Sequence, residues 1–258
     1  DHSGNGNHGT IHGASWAGCT DPLADNYLSN AEVDDGSCTG FIYDDYSLSF
    51  DGDDDYVLTP DLHVMYEYTL EAKIFLSTQT SGTDFHNILS NGINNADVNF
   101  GADNNNPDGF IPRLNNRVTS DTTLNRNQWY HLALVKDANN YLFYVNGSLV
   151  KEDDIAYNYA DIYSVIGAWQ YNGNLGVREV WEGMLDEIRI WNYARTQSDI
   201  INNMDIVELS EYDALLAYWK FNSGSVGILY DHSGNGNHGI INGAQWVCTD
   251  MDLCGVCG

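Results

Sequence analysis

Basic residues are scarce in this 258-residue chain: 10 Lys and Arg stand against 37 Asp and Glu, for a formal net charge of −27. A polyanion would be repelled and no basic stripe exists to hold one, so nucleic acid is excluded as a partner. Anionic membrane surfaces are disfavoured for the same reason. Long apolar runs are lacking as well, and no stretch reaches the roughly 18 residues that cross a bilayer. Cysteine is missing from the whole interior, residues 39–247, and its five copies sit in two clusters: Cys19 with Cys38, and Cys248 with Cys254 and Cys257. That distribution suits disulfides in small appendages outside the cytosol, and the odd count points to a partner beyond the fragment. Cys254-Gly-Val-Cys257 lacks the second pair that a zinc site needs, so a disulfide is preferred there. No signal peptide is visible, but the chain opens inside a motif, so this is uninformative about secretion. Neither Gly-x-Ser-x-Gly nor His-Glu-x-x-His occurs.

What is present is apolar and aromatic. Hydrophobic residues make up 43%, with 17 Tyr and 7 Trp, enough for a packed interior. The acidic surface attracts divalent cations and keeps an extracellular protein soluble. The nonapeptide DHSGNGNHG stands at residues 1–9 and again at 231–239; extended to 1–16 and 231–246, the copies differ at three positions. A spacing of 230 residues suits a whole domain repeated head to tail. Residues 1–16 then read as the end of a preceding closure segment, and 214–246 as the local one.

Residues 17–40 form a small acidic unit bounded by cysteines, with too few apolar residues for its own core; a Cys19–Cys38 bridge would hold it closed. From 41 to about 192 the pattern is β. Leu70, Ala72, Ile74 and Leu76 share one face, WYHLALVK and NYLFYVNGSLVKE read as successive antiparallel strands, and Asn146-Gly147 is a two-residue hairpin signal. One short helix follows, with Thr196 and Asp199 at capping-box spacing and Ile200, Ile201 and Met204 on its apolar side. ALLAYWKFN at 214–222 is another strand, and the chain ends in a second Cys- and Asp-rich appendage from 247. The expected fold class is all-β: an antiparallel two-sheet jelly-roll sandwich over 41–246 with one short helix.

LSFDGDDDYV, WYHLALVKDANNYLFYVNGSLV, GMLDEIRIWNYARTQSDI, LLAYWKFN and DHSGNGNHGIINGAQW together resemble the laminin-G/concanavalin-A-like jelly-roll domains of secreted bacterial proteins. The segment at 18–38 is similar to a small acidic Cys module of marine bacterial surface proteins. The order departs from the family, because AYWKFN here follows the body of the domain rather than preceding it. The resemblance implies that the closure loop binds calcium, with Asp231, Ser233, Asn235, Asn237 and Asp186 or Glu187 as ligands. The alternative is a set of Asx turns without an ion. Asp21, Asp34 and Asp35 of the small module are further candidates, although EF-hand spacing is absent. FDGDDDYV gives Asp51, Asp53, Asp54 and Asp55; three adjacent acids cannot all face one ion along a strand and would repel into solvent or share a turn, the alternative being that one of them is a ligand.

Glycoside hydrolases of this class carry Glu-x-Asp-x-x-Glu on one strand; EGMLDEIRIW has the wrong spacing, and its Leu185, Ile188 and Ile190 read as core. No catalytic residues are assigned. Tyr157, Tyr159, Tyr163, Trp169 and Tyr171 among polar turns would suit sugar stacking, or rim packing. The expectation is a non-enzymatic, calcium-stabilised repeat unit of a secreted or cell-surface adhesin, stalk or filament, its partners being neighbouring copies and glycans. The alternatives are a carbohydrate-binding module of a secreted enzyme and, last, a hydrolase.

Overall fold

The computed structural model describes residues 16–20, 24, 28, 31–37, 46–64, 66–77, 85–90, 100–103, 111–114, 118–154, 161–170, 177–205, 214–222 and 227–248. In chain order its strands are β1 (Ala17–Gly18), β2 (Val33–Asp34), β3 (Tyr46–Asp51), β4 (Tyr56–Val64), β5 (Tyr68–Leu76), β6 (Phe85–Ser90), β7 (Phe100–Asp103), β8 (Ile111–Leu114), β9 (Val118–Thr119), β10 (Trp129–Lys136), β11 (Asn140–Val145), β12 (Ser148–Asp154), β13 (Asp161–Ile166), β14 (Trp169–Gln170), β15 (Val177–Arg178) and β16 (Glu182–Trp191). The helix α1 (Gln197–Asn203) precedes β17 (Leu215–Trp219), β18 (Ile228–Leu229), β19 (Gly239–Asn242) and β20 (Gln245–Cys248).

Two eight-stranded sheets pack face to face. The first runs β12-β11-β10-β5-β16-β3-β20, with β17 also on β16; the second runs β18-β19-β4-β13-β6-β7-β8-β9. All pairings within them are antiparallel, so the alternating positions of each strand separate into an inner and an outer set. Leu70, Ala72, Ile74 and Leu76 of β5 meet Leu132 and Leu134 of β10 and Leu185, Ile188 and Ile190 of β16 in one buried cluster, closed from the other sheet by Val57, Phe100, Tyr163 and Ile166.

Leu185 and Ile188 both point inward although their spacing breaks the strand period. The register shifts between Asp186 and Arg189, and Glu187 takes φ 50°, a left-handed residue that resets the alternation. The same bulge divides β16: its first half pairs with β3, its second with β17. The Asn146-Gly147 turn has both residues at positive φ, 47° and 72°, as the hairpin signal requires.

The chain changes sheets twice along one edge. β3 leads through the Asp51–Asp55 turn into β4, and β19 leads through Gly243 and Ala244 into β20, with β19 on β4 and β20 on β3. Gly243 has φ 81°, and a Cβ there would collide with the Asp55 carboxylate. Ala244 is buried there, and Ile241 and Trp246 pack partly buried on the core.

The helix lies on the outer face of the first sheet. Thr196 and Asp199 form the capping box. Ile200 is fully buried against Ala133, Val135 and Tyr144, worth about 2 kcal/mol of apolar burial. Met204 joins that contact from the edge, but Ile201 is 48% exposed, so the apolar side is narrower than its sequence suggests.

Candidate functional site

Three clusters of polar side chains stand out. The closure loop 231–238 is built around Asp231, which is fully buried. Its Oδ1 accepts from the backbone N–H of Tyr218 and Ser233, and its Oδ2 from the Ser233 hydroxyl and the Asn237 N–H, at 2.8 to 2.9 Å. A carboxylate offers about four acceptor positions, and here the protein fills them. The Asn235 and Asn237 amides donate to the Leu215 and Leu216 carbonyls at 2.8 Å. The loop candidates Asp231, Ser233, Asn235 and Asn237 are thus brought together, with their hydrogen bonds directed at β17 and at one another. Asp186 lies with a different set of residues, described below.

The small module leans on this loop. Asp34 is buried; its Oδ1 accepts from Gly36 N–H and its Oδ2 from the Thr20 hydroxyl, while burial pushes its carboxyl up. Gly234, at φ 87°, lies where a Cβ would come 3.1 Å from the Asp34 carbonyl oxygen. Asp35 is exposed and caps Ser37 N–H. Asp21, Cys38, Cys254, Cys257, Tyr157, Tyr159 and Tyr171 lie outside the described residues. Cys19 is buried, and Trp169 is half-buried in the short β14–β15 pair.

The second cluster is the sheet-changing turn. The carboxylates of Asp51, Asp54 and Asp55 lie within 4.8 Å of one another, so the run of acids does share a turn. Asp55 is buried, which pushes its carboxyl up, and its Oδ2 accepts from Asp51 N–H at 2.8 Å.

The third cluster gathers around a buried acid that the strand pattern does not single out. Glu71, on the outer face of β5, is fully buried beneath the helix. Arg195 Nη1 donates to its Oε1 at 2.7 Å, His131 Nε2 to its Oε2 at 3.0 Å, and Arg189 Nη1 stands 3.6 Å from Oε2. Burial alone would raise the Glu71 carboxyl, but the His131 hydrogen bond and the charges of His131, Arg189 and Arg195 overcome it and hold it at about 2. The arginines also fix the helix: Arg189 donates to the Asn203 carbonyl at 2.7 Å and Arg195 to the Asn203 side chain at 2.8 Å. Glu187 accepts from Arg189 and from the Tyr218 hydroxyl. A signal was available: in a chain with ten basic residues, two arginines fall within the seven-residue stretch before the helix.

Beside this network a cavity of about 480 Å³ opens on the outer face, lined by Lys73, Trp129, Tyr130, His131, Asn146, Asp186, Met204 and Asp205. Its placement follows from strand register: His131 is opposite Lys73, Trp129 opposite Phe75, and Asp186 opposite Lys73 from the other side. Trp129 packs at a tilt on Phe75 with ring centres 5.6 Å apart. Burial, and then the charge of Glu187, push the Asp186 carboxyl well up. Lys73 bonds the exposed Asp205 at 3.2 Å. His131 is 5% exposed, and with Nε2 committed to Glu71 its buried Nδ1 has no hydrogen-bond partner among the described residues.

Two antiparallel sheets packed face to face, closed by a sheet-changing C-terminal segment, define a lectin-type β-sandwich. The chain belongs to the Laminin_G_3 family of the concanavalin A-like lectin/glucanases superfamily, whose family model matches residues 51–201, more than half of its length. No curated protein matches it in sequence. Among solved structures it is similar to a Bacteroides ovatus protein named as carbohydrate binding, at 19% identity and TM-score 0.60 over 87% of this chain and 66% of that one. It is also similar to the heptameric SAP-like pentraxin of Limulus polyphemus, at 18% identity and TM-score 0.50 over 63% and 84%. Domain 4 of the extracellular GH43 arabinanase AbnA of Geobacillus stearothermophilus, solved with arabinotriose, is 17% identical at TM-score 0.45 over 60% and 75%. At these identities the likeness is one of fold.

Proposed function

We propose that this chain is a non-enzymatic, extracellular unit that binds carbohydrate in the outer-face cavity of its first sheet. The cavity itself carries the reading: an aromatic ring, Trp129, beside an acceptor, Asp186, a cation, Lys73, and the ring of His131. Sugars need this mixture, an apolar ring face for stacking and opposed polar groups for their hydroxyls. Lys73 is balanced by Asp186 and Asp205, which favours an uncharged ligand. The name of the Bacteroides ovatus relative agrees with this class of ligand. Of the two carboxylates that line the cavity, Asp186 and Asp205, the second is paired with Lys73; Glu187, next to Asp186 in the chain, is held by Arg189 and Tyr218.

A glycan array read with wild-type protein, Trp129→Ala and Asp186→Asn tests this. Binding is expected to weaken at least about tenfold in each variant, the equivalent of about 1.4 kcal/mol. Asp186→Asn is expected to melt a few degrees higher at neutral pH, because it removes a carboxylate whose charged form is penalised by burial. That gain should fade as pH falls and the wild-type carboxyl takes up its proton. Unchanged glycan binding in Trp129→Ala would sink the reading.

Calcium is proposed at the Asp51–Asp54–Asp55 turn, where three carboxylates supply the hard oxygen donors it takes. Chelator is expected to lower the melting temperature of wild type and to leave Asp54→Ala unmoved. The recurrence of 231–246 at 1–16 supports a second reading, that the unit is one of a series in a surface adhesin, stalk or filament. Carriage beside a secreted enzyme's catalytic domain is the alternative. The small module's disulfide belongs to the same proposal, supported by the bonded sulfur of Cys19; the sulfur of Cys248, in the C-terminal appendage, is likewise bonded.

A further inference from the structure

We infer that Asn146 helps choose the ligand: its side-chain NH₂, held at one end of the cavity, donates to an acceptor oxygen of an uncharged glycan. This rests on the carbohydrate reading of the cavity and adds to it the residue that reads the end of the sugar far from Asp186.

The sequence hides this role, because Asn146-Gly147 already has an explanation as a turn. A type I′ turn accepts Asn, Asp or Gly at its first central position, so the turn alone leaves the choice among them open. The structure narrows it. The Asn146 backbone N–H donates to the His131 carbonyl at 2.8 Å, and the Asn146 Oδ1 accepts from the His131 N–H at 2.9 Å. Only the oxygen of an amide can meet an N–H, so this bond fixes which way the amide faces. The NH₂ is left as the polar group that Asn146, an exposed residue lining the cavity, offers to a ligand. Among the described residues none accepts from it.

The turn that carries this donor is clamped from two sides. On one side is β10, through the paired bonds to His131. On the other is the helix: the Gly147 carbonyl accepts from Gln197 Nε2 at 2.8 Å, and a Cβ on Gly147 would come 2.7 Å from Ile201 Cγ1. Arg189 and Arg195 hold the helix in its turn. A donor fixed before binding loses little entropy when it is used. Register sets it against the acceptor end. Asn146 stands opposite His131, His131 opposite Lys73 and Lys73 opposite Asp186. Three strand spacings, about 14 Å, separate the two ends from backbone to backbone. Lys73, between them, is bonded to Asp205. With Asp186 accepting at one end and Asn146 donating at the other, the row gives a glycan stacked on Trp129 a direction.

Asn146→Asp separates the two jobs of this residue. It keeps a type I′ turn former and an acceptor for the His131 N–H, and replaces only the NH₂ by a second oxygen. Isothermal titration of the full chain with linear trisaccharides of glucose, N-acetylglucosamine, xylose and arabinose finds a neutral probe that wild type binds. For that probe Asn146→Asp is expected to bind about tenfold more weakly at an unchanged melting temperature. Asn146→Gly, which keeps the turn and brings no charge, is expected to bind as weakly. Wild-type affinity in Asn146→Asp overturns the inference. So does a loss in Asn146→Asp with wild-type affinity in Asn146→Gly, because the loss would then be charge repulsion. Trp129→Ala, run beside them, separates the two readings. If it alone loses binding, the cavity takes carbohydrate without Asn146. If it binds as wild type, or no probe binds at all, the carbohydrate reading falls and this inference with it.

Discussion

Replacing Glu71 by Ala is expected to lower stability by about 4 kcal/mol, because it leaves Arg195, Arg189 and His131 buried around an absent charge. For a domain of this size that corresponds to a fall in melting temperature on the order of 10 °C. The loss has two parts: the uncompensated cations, and the release of the helix, whose last carbonyl and Asn203 side chain the two arginines hold. Glu71→Gln keeps the shape and one acceptor, so it should cost less than Ala. The same carboxyl makes stability fall in acid. Its folded value, about 2, is below the ordinary 4.5, so its contribution is complete above the ordinary value and is lost as pH drops from there toward 2. Thermal melts of wild type and Glu71→Gln between pH 6 and pH 2 should therefore converge as the pH falls.

Asp231→Ala should cost a similar amount, on the order of 4 kcal/mol, for a different reason. The carboxylate is the common acceptor of Tyr218 N–H, Ser233 N–H, the Ser233 hydroxyl and Asn237 N–H, and Ala leaves these donors without it. Asp231→Asn retains one oxygen and turns an NH₂ toward the remaining two donors, so it should fall about midway. Chemical denaturation with an unchanged m-value would show that the closure segment is lost as part of one cooperative unit. A calcium ligand would behave differently, since the deficit of Asp231→Ala would then shrink in chelator. The filled acceptor positions predict that it will not.

The fold was legible because its signals are periodic and local. The alternation of Leu70 through Leu76, the Asn146-Gly147 turn and the Thr196–Asp199 cap each act within a few residues, and each took the expected form. Leu185, Ile188 and Ile190 read as core from the sequence, although the bulge that brings Leu185 and Ile188 to one face needs the strand register. The candidate site was not legible, for a physical reason. Glu71, His131 and Arg195 meet across separations of 60 and 124 residues, and nothing in a strand's own pattern distinguishes an outward acid in water from one buried under a helix. In sequence Trp129 marks only the start of a strand, and the run that suits stacking is the tyrosines of 157–171, of which only Tyr163 lies among the described residues, and there it is core. The DHSGNGNHG loop was conspicuous as a repeat, but composition cannot tell a cation cage from a carboxylate that serves backbone amides.

The most direct test of the account is a titration of the isotopically labelled protein with the best ligand from the array, followed through the indole N–H signals of its seven tryptophans. Comparison with Trp129→Phe identifies the Trp129 signal. The account predicts that this signal and those of His131 shift saturably and together, while those of Trp169 and Trp246 stay in place. Shifts centred on Trp169, or saturable binding that leaves Trp129 and His131 unmoved, would contradict it.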